Sequence, residues 1–264
     1  MSHHHHQSQC PGLQSPVRNR YFYGKLLDVY QLELEQNYFN RKRWLLNRFV
    51  TGYGVMCGLD VKPAAEGNAV VVQPGIALDK CGREIIVCDP SKPIEIPSAP
   101  PSENENTPEQ TVKKPHDSCD EDDAWNHLVL CYHECLTDPA PTLGDDCNPA
   151  QRCAAGAIRE RYEIRLEPGP APEIRLQCSI PDLVPGTRID YAMLAYHVSQ
   201  PCRGCPDDPC IPLANIRLPA DDTPLSEGNI DITVRPIVYS NDLLFEIIVG
   251  LLRDEQKAPR GGKP

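Results

Sequence analysis

Proline is the residue that most constrains how this chain can fold. It occupies 28 of 264 positions, about twice its usual share. Because proline breaks helix interiors and central strand ladders, long helices can form only in proline-poor segments. Aromatic residues are also scarce, with 2 Trp, 10 Tyr and 4 Phe. The composition therefore excludes an all-helical bundle and favours many short strands joined by ordered loops.

The net charge of the chain limits the kinds of molecule that it is expected to bind. The chain has 26 Lys and Arg against 37 Asp and Glu, a net charge of −11. A nucleic-acid-binding protein normally carries a basic excess along one face, so we expect no nucleic-acid partner.

The longest apolar run, Leu243 to Leu252, is interrupted by Glu246 and Gly250. It is far shorter than the roughly 20 residues that cross a bilayer, so we expect no transmembrane segment.

The first 17 residues are expected to form a disordered tail. They include His3 to His6, a tract that is either native or a truncated purification tag, and we assign it no function. The segment has neither an apolar core nor a small-residue cleavage site. We therefore expect no secretory signal.

Residues 28–50 give the clearest helix prediction. Asp28 and Gln31 have the spacing of a capping box, and Gly52 is a natural stop signal. The apolar residues Leu34, Tyr38, Leu45 and Phe49 recur at spacings of four, seven and four, which predicts a narrow seam similar to a coiled coil. The helix is therefore expected to use this seam for packing.

Residues 18–52 are predicted to be a docking or oligomerisation region. Between residues 17 and 50, seven basic residues stand against three acidic ones within an acidic protein. The alternative is a helix that packs on its own domain and leaves a solvated basic face. The candidate partner-binding residues are Arg18, Arg20, Tyr21, Tyr23, Leu34, Tyr38, Arg41, Lys42, Arg43, Leu45 and Phe49.

Residues 53–97 are predicted to be a small antiparallel β domain. Glycine and proline turns such as Gln73-Pro-Gly75 and Cys81-Gly82 separate its short apolar runs. The predicted strands are Val55 to Val61, Ala69 to Gln73, Arg83 to Cys88 and Ile94 to Ile96. Residues 98–124, which are acidic and rich in proline, are predicted to be a linker.

Residues 125–240 are predicted to be a Cys-rich β domain, and residues 241–264 a C-terminal helix and tail. The predicted strands are Trp125 to Cys135, Ile158 to Glu167, Glu173 to Cys178, Tyr191 to Ser199, Ile211 to Leu218 and Ile230 to Arg235. Two Cys- and Pro-rich insertions, Thr137 to Cys153 and Gln200 to Cys210, interrupt them, and the helix covers Asn241 to Arg253.

The predicted fold class is therefore α+β, mainly β. An N-terminal amphipathic helix precedes a small antiparallel β unit, a second, Cys-rich β domain and a short C-terminal helix. This order follows from one helical pattern at each end of a chain whose middle consists of short strands.

Cysteines form the group of residues that stands out chemically. Cys131, His133 and Cys135 alternate along a predicted strand and so share one face. Cys202 and Cys205 form a C-x-x-C motif. With the cysteines of the two insertions, the candidate metal ligands are Cys131, His133, Cys135, Cys147, Cys153, Cys202, Cys205 and Cys210.

Three interpretations of these cysteines stay open. A structural zinc ion would take four thiolate or imidazole ligands and would order the polar insertions. Disulfides would pin the same loops if the protein works outside the cell. Free thiols that fill the core are the preferred interpretation for Cys57, Cys81, Cys88 and Cys178, which lie in or beside apolar strands.

The common catalytic motifs are absent from the sequence. It contains no phosphate-binding G-x-x-x-x-G-K-[ST] loop, no G-x-S-x-G elbow and no H-E-x-x-H helix. A hydrolase built on Asp and His residues such as His133 and His197 is one hypothesis, although a lone histidine on a strand is more often structural. We therefore name no catalytic residues and expect no enzyme.

Residues 18–88 carry a recognisable pattern. It comprises the runs from Arg18 to Leu27, Gly52 to Leu59, Pro74 to Asp79 and Cys81 to Val87. This pattern resembles a group of poorly characterised proteins from gene clusters of phage-tail-like contractile injection systems. The helix followed by a β unit is also similar to the N-terminal attachment regions of phage baseplate and tail-fibre proteins.

This resemblance implies a non-enzymatic structural subunit of a contractile particle, in the baseplate or at a fibre or other peripheral attachment point. It implies other particle subunits as partners, a homo-oligomer with a trimer favoured, and cytoplasmic assembly followed by release in an extracellular particle. The alternative is an extracellular binding module, held together by metal or disulfides, that recognises a surface ligand such as a glycan or a receptor.

Overall fold

The computed structural model describes residues 15–65, 67–97, 125–141, 153–173, 190–202, 204–217 and 223–257. In these residues, ten strands form three antiparallel sheets, and a helix lies near each end. The predicted α+β, mainly β class is confirmed. The predicted linker 98–124, Cys147, Cys178 and all but the first residue of the strand predicted at Glu173 to Cys178 lie outside the described residues.

The described residues contain three α-helices and ten strands. The helices are α1 (Val29–Leu46), α2 (Tyr191–Val198) and α3 (Asn241–Lys257). The strands are β1 (Gly54–Gly58), β2 (Val61–Pro63), β3 (Ala69–Val72), β4 (Gly75–Leu78), β5 (Glu84–Val87), β6 (Ile94–Glu95), β7 (Trp125–Pro141), β8 (Cys153–Pro168), β9 (Ile211–Arg217) and β10 (Ile230–Asp231). The three sheets have the orders β1-β4-β5, β2-β3-β6 and β10-β9-β7-β8.

One hydrophobic core joins the two parts that the sequence divided into a small and a Cys-rich β domain. Val70, Val72 and Ile85 from the first part belong to the same buried cluster as Leu128 and Leu213 from the second. Each fully buried aliphatic side chain contributes about 1.5 to 3 kcal/mol. The interior of residues 53–97 is therefore continuous with that of the segments after residue 124.

Helix α1 begins where the capping box predicted. The Asp28 carboxylate accepts a hydrogen bond from the Gln31 amide at 3.2 Å, and the Gln31 side-chain oxygen accepts one from the Asp28 amide at 3.0 Å. The helix continues into a π-helical turn, Asn47–Thr51, and ends at Gly52, whose φ is +84°. That left-handed conformation favours glycine.

Helix α2 corrects a strand prediction. Tyr191 to Ser199 was predicted to be a strand, but residues 191–198 are helical. The Asp190 carboxylate accepts hydrogen bonds from the amides of Ala192 and Met193, at 3.0 and 3.2 Å. This N-cap, followed by the helix-forming residues Ala, Met and Leu, outweighs the apolar alternation.

Strand β4 was not predicted, and it begins at the end of the predicted Gln73-Pro-Gly75 turn. Gly75 begins this strand because its backbone passes against the Leu59 amide and the Cys57 carbonyl, where any Cβ atom would overlap them. Glycine here marks a close approach of two strands. The strand predicted at Ile230 to Arg235 is shorter than expected and covers only Ile230–Asp231. The Asp231 carboxylate accepts hydrogen bonds from the amide and the hydroxyl of Thr233, which turns the chain after this strand.

Strands β7 and β8 form a hairpin longer than predicted. They keep one register from Asn126 with Pro168 to Pro141 with Cys153, with a gap in the pairing at Asp138 and Gly156. Strand β9 pairs with β7 only as far as Leu130. Beyond it, residues 131–141 and 153–163 continue as a two-stranded projection, which we call the ribbon. The first residues of the predicted insertion at Thr137 are therefore strand.

A buried carboxylate organises the turn between β4 and β5, residues 79–84, which we call the Asp79 turn. The Oδ1 atom of Asp79 accepts hydrogen bonds from the amides of Cys81 and Arg83, at 2.9 and 2.8 Å. Its Oδ2 pairs with Nε of Arg83 at 2.6 Å, and both side chains are buried. The carboxylate is thus compensated on both oxygens, which a buried charge requires.

Arg83 connects the Asp79 turn to the start of the ribbon. Its guanidinium lies 4.6 Å from the centre of the Tyr132 ring, a cation–π contact. Burial and the hydrogen bond to Glu134 raise the pKa of Tyr132. The ring therefore stays neutral, and the Asp79 turn, sheet β1-β4-β5 and hairpin β7–β8 meet at one ion pair.

Replacing Asp79 tests this ion pair. In Asp79→Asn, Arg83 keeps its buried charge without a carboxylate, so we expect the free energy of unfolding to fall by about 3 to 5 kcal/mol. Urea unfolding followed by Trp fluorescence measures it. The control Lys62→Met removes an exposed pair with Asp60 at 3.5 Å, worth less than about 1 kcal/mol. Equal losses in the two variants would contradict the assignment.

Candidate docking surface and its cross-linked anchor

Helix α1 buries none of its residues in the structure. Tyr30, Leu32, Phe39 and Leu46 each expose between 54 and 65 % of their surface. A helix of a globular protein normally hides an apolar stripe against the core. Within the described residues, α1 leaves its apolar side chains available to another molecule.

The segment before α1 folds back on the helix and extends the same surface. The Tyr21 hydroxyl donates a hydrogen bond to the Glu35 carboxylate, which raises the pKa of Tyr21. Lys25 donates to the side chain of Asn19 and lies 5.7 Å from the centre of the Tyr21 ring. These contacts leave Tyr23 fully exposed. The segment therefore adds an outward-facing aromatic residue to the helix.

The structure exposes most of the predicted partner-binding residues. Leu34 and Tyr38 are half-buried, and the remaining nine are exposed. Sequence reasoning missed further large apolar residues that are also exposed, namely Phe22, Leu26, Val29, Tyr30, Leu32, Phe39, Leu46 and Val50. They lie off the four-residue seam, so a search for one stripe could not find them. We call the exposed side chains of residues 17–50 the docking surface, after the role predicted for them from the sequence.

The C-terminal end of α1 is anchored on the Asp79 turn. The Asn47 side-chain amide donates to the Gly82 carbonyl and to a Glu84 carboxylate oxygen, both at 2.8 Å. Arg43 pairs with the same Glu84 at 3.0 Å. Arg43 thus holds the helix in place as well as lying on its surface.

Gly82 is the point of closest approach between the Asp79 turn and α1. Its φ is +90°, and a Cβ atom there would overlap the Trp44 carbonyl oxygen. The turn therefore needs glycine for two reasons, its left-handed backbone and its contact with the helix.

Substituting this glycine tests the anchor. Gly82→Ala should push the turn away from Trp44 and speed hydrogen exchange in residues 47–51, while exchange in β3 stays unchanged. The matched control is Gly24→Ala, because Gly24 has a φ of +83° but no atom near its Cβ position. If Gly24→Ala accelerates exchange at 47–51 as much as Gly82→Ala does, the contact is not the cause. Peptide-level exchange mass spectrometry measures both.

Two disulfides connect distant parts of the chain to one loop. Cys81 of the Asp79 turn is bonded to Cys205, with Cα atoms 5.2 Å apart, across 124 residues. Cys131 of β7 is bonded to Cys210, with Cα atoms 4.5 Å apart, across 79 residues. Residues 204–210, which we call the cross-linked loop, are therefore held to the turn and to the hairpin.

Charged side chains support the same loop. Lys80 pairs with Asp208 at 3.3 Å, and the Lys80 amide donates to the Pro209 carbonyl at 3.1 Å. The Arg165 guanidinium lies 3.1 and 3.0 Å from the sulfurs of Cys131 and Cys210. The loop is thus fastened by polar contacts beside both disulfides.

The predicted metal ligands divide into several groups. Cys131, Cys205 and Cys210 are disulfide-bonded, Cys147 lies outside the described residues, and Cys135, Cys153 and Cys202 are free. His133 lies on the exposed ribbon, in register with Arg161. Where the chain is described, no three His, Cys, Asp or Glu side chains are grouped to hold an ion. The zinc site stays a prediction.

The core-filling thiols predicted from the sequence also need correction. The free-thiol prediction for Cys81 is wrong, because Cys81 is bonded to Cys205. Cys57 and Cys88 are free, but both are exposed and do not fill the core. Cys57 follows an irregularity in the pairing of β1, and Cys88 lies directly after the end of β5.

Removing one disulfide tests its contribution. Cys210→Ser should lower the free energy of unfolding by about 2 to 4 kcal/mol without reductant, because the bond restricts the unfolded chain. The control Cys135→Ser changes a free cysteine on the same strand as Cys131 and should have little effect. Urea unfolding with and without dithiothreitol measures the difference, which should vanish in reductant. A Cys210→Ser loss that persists in reductant would contradict a disulfide origin.

Comparisons with known proteins add little. No protein-family model and no curated protein matches the sequence. Among solved structures, the crystal structure of TssK matches with a TM-score of 0.41 and 12 % identity, over 94 % of this chain and 51 % of the TssK chain. The chain thus spans about half the length of that structure, and a likeness of this size does not establish a shared fold. Among the described helices, none is long and apolar enough to cross a bilayer.

Proposed function

We propose that this chain is a non-enzymatic structural subunit of a phage-tail-like contractile injection particle, and that the docking surface incorporates it. The observation that carries the proposal is helix α1, which is anchored at one end and exposes apolar side chains along its length. The resemblance of residues 18–88 supports the same assignment. Those residues form the docking surface, its anchor and the Asp79 turn.

The composition of the docking surface indicates the chemistry of its partner. Burying an exposed aromatic or leucine side chain contributes about 1.5 to 3 kcal/mol, and contiguous apolar patches mark interaction sites. Arg18, Arg20, Arg41 and Lys42 are also exposed on it. The partner is therefore another particle subunit with an apolar groove and an acidic rim. We place it in the baseplate or at a fibre attachment point.

The anchor suits a subunit that must transmit load. Asn47, Arg43 and Gly82 join the helix to the Asp79 turn, and the ion pair at Asp79 joins that turn to the core. A partner that binds α1 therefore pulls on the sheets and not on a flexible tether. We propose assembly in the cytoplasm and disulfide formation after release from the cell, because reducing cytosol keeps thiols free.

Incorporation into particles tests the proposal. The double variant Phe39→Asp, Leu46→Asp places two charges on the docking surface, so its content in purified particles should fall at least tenfold. Loss of two buried side chains at about 1.5 to 3 kcal/mol each exceeds the 1.4 kcal/mol of a tenfold change. Immunoblotting of purified particles measures the content.

The matched control is Tyr196→Asp, Val198→Asp on α2, where both residues are equally exposed. It should incorporate normally, and circular dichroism should show both variants folded. Normal incorporation of the α1 variant would overturn the proposal. So would an α1 variant that loses only self-association, because the occupant of the surface would then be a second copy.

The ribbon favours one alternative function, recognition of a surface ligand such as a glycan or a receptor. Leu136 and Ile158 are directly paired on it and expose 75 and 62 % of their surface. Paired apolar residues on a projection offer a contact for a ligand. Leu136→Asp should abolish cell-surface binding under this alternative and leave particle incorporation unchanged. Unaltered cell-surface binding would exclude it.

A further inference from the structure

We propose that Cys202 is the resolving thiol of an internal thiol–disulfide exchange that opens the Cys81–Cys205 cross-link. Cys202 lies three residues before Cys205, in the C-x-x-C motif. It is a free, exposed thiol, while Cys205 is bonded to Cys81. One free thiol and one disulfide thus occur within a single short segment, at the spacing that disulfide oxidoreductases use.

Burial decides which sulfur is attacked. Cys81 is 5 % exposed, whereas Cys205 is only half-buried. The Cys205 side of the cross-link is therefore the more open to a nucleophile. In this exchange Cys202, three residues away in the C-x-x-C motif, attacks Cys205 and displaces the sulfur of Cys81.

The exchange needs no external oxidant, because the numbers of disulfides and thiols stay the same. The Cys202 thiolate attacks Sγ of Cys205, the bond from Cys202 to Cys205 forms, and the bond from Cys205 to Cys81 breaks. The Cys81 sulfur leaves as a thiolate and takes a proton from water. One disulfide and one thiol are present before and after, and the two sulfurs of Cys202 and Cys81 exchange oxidation states.

The exchange changes the constraint beneath the docking helix. Cys81 precedes Gly82, which contacts Trp44 and accepts the hydrogen bond from Asn47. After exchange, the cross-linked loop stays joined to β7 by Cys131–Cys210 and to Lys80 by Asp208. Only its covalent link to the Asp79 turn is lost. The disulfide pairing thus sets how firmly that turn is held.

Tryptic peptides of the unreduced chain separate the two states. Trypsin cleaves after Lys80, Arg83, Arg188, Arg203 and Arg217. Before exchange, the peptide of residues 204–217 is linked to the tripeptide 81–83, and after exchange it is linked to the peptide 189–203. The peptide that contains Cys131 stays attached through Cys210 in both states, so the assay reads only the partner of Cys205.

The experiment incubates the full chain, purified without reductant, at about pH 8.5, where an ordinary thiol is about half ionised. Acid quenching, alkylation and mass spectrometry follow. We expect the link to peptide 189–203 to rise at least tenfold over a sample kept at about pH 6, with alkylated Cys81 in equal amount. Cys202→Ser should keep the link to 81–83, and the control Cys88→Ser, which removes another exposed thiol, should exchange like the wild type.

Three results would overturn the proposal. The link to 81–83 could persist in the wild type as it does in Cys202→Ser. Cys81 could be released equally fast in Cys202→Ser, so that another thiol is the nucleophile. Cys205 could already be without its link to Cys81 at about pH 6. Since none of these results depends on particle assembly, failure of the exchange leaves the proposed function to its own test.

Discussion

The buried ion pair between Asp79 and Arg83 is the interaction on which the rest of the structure depends. Asp79 fixes the turn through three hydrogen bonds, and Arg83 carries that order to Tyr132 at the start of the ribbon. The same turn holds helix α1 through Gly82 and holds the cross-linked loop through Cys81. A single compensated charge thus positions a docking helix, a loop and a hairpin relative to one core.

Apolar side chains are buried in the core but exposed on the docking surface. Val72, Ile85, Leu128 and Leu213 are hidden in one cluster that both β parts share. Helix α1 has no fully buried residue, although it carries aromatic and aliphatic residues on several sides. A folded chain that leaves so much apolar surface on an anchored helix is suited to assembly with another protein. The two disulfides of the cross-linked loop stabilise the sheets and the turn on which the helix is anchored.

Local signals in the sequence were sufficient for some elements and not for others. The Asp28 capping box and the apolar run of β9 are complete within a few residues, so α1 and β9 were predictable. The Asp190 cap was overlooked because the apolar alternation after it also fits a strand. The pairing of Cys81 with Cys205 spans 124 residues, and no local spacing indicates it. Exposure of Phe39 and Leu46 depends on where α1 sits, which only the fold decides.

Cross-linking of assembled particles tests the central claim most directly, because it reports what covers α1 in place. Lys42 is exposed on the docking surface, and Lys62 is an exposed reference on strand β2. With an amine-reactive cross-linker and mass spectrometry, the account predicts that Lys42 links to a different particle subunit near its acidic residues and that its reactivity falls on assembly. Links from Lys42 only to its own chain, with unchanged reactivity in the particle, would contradict the account.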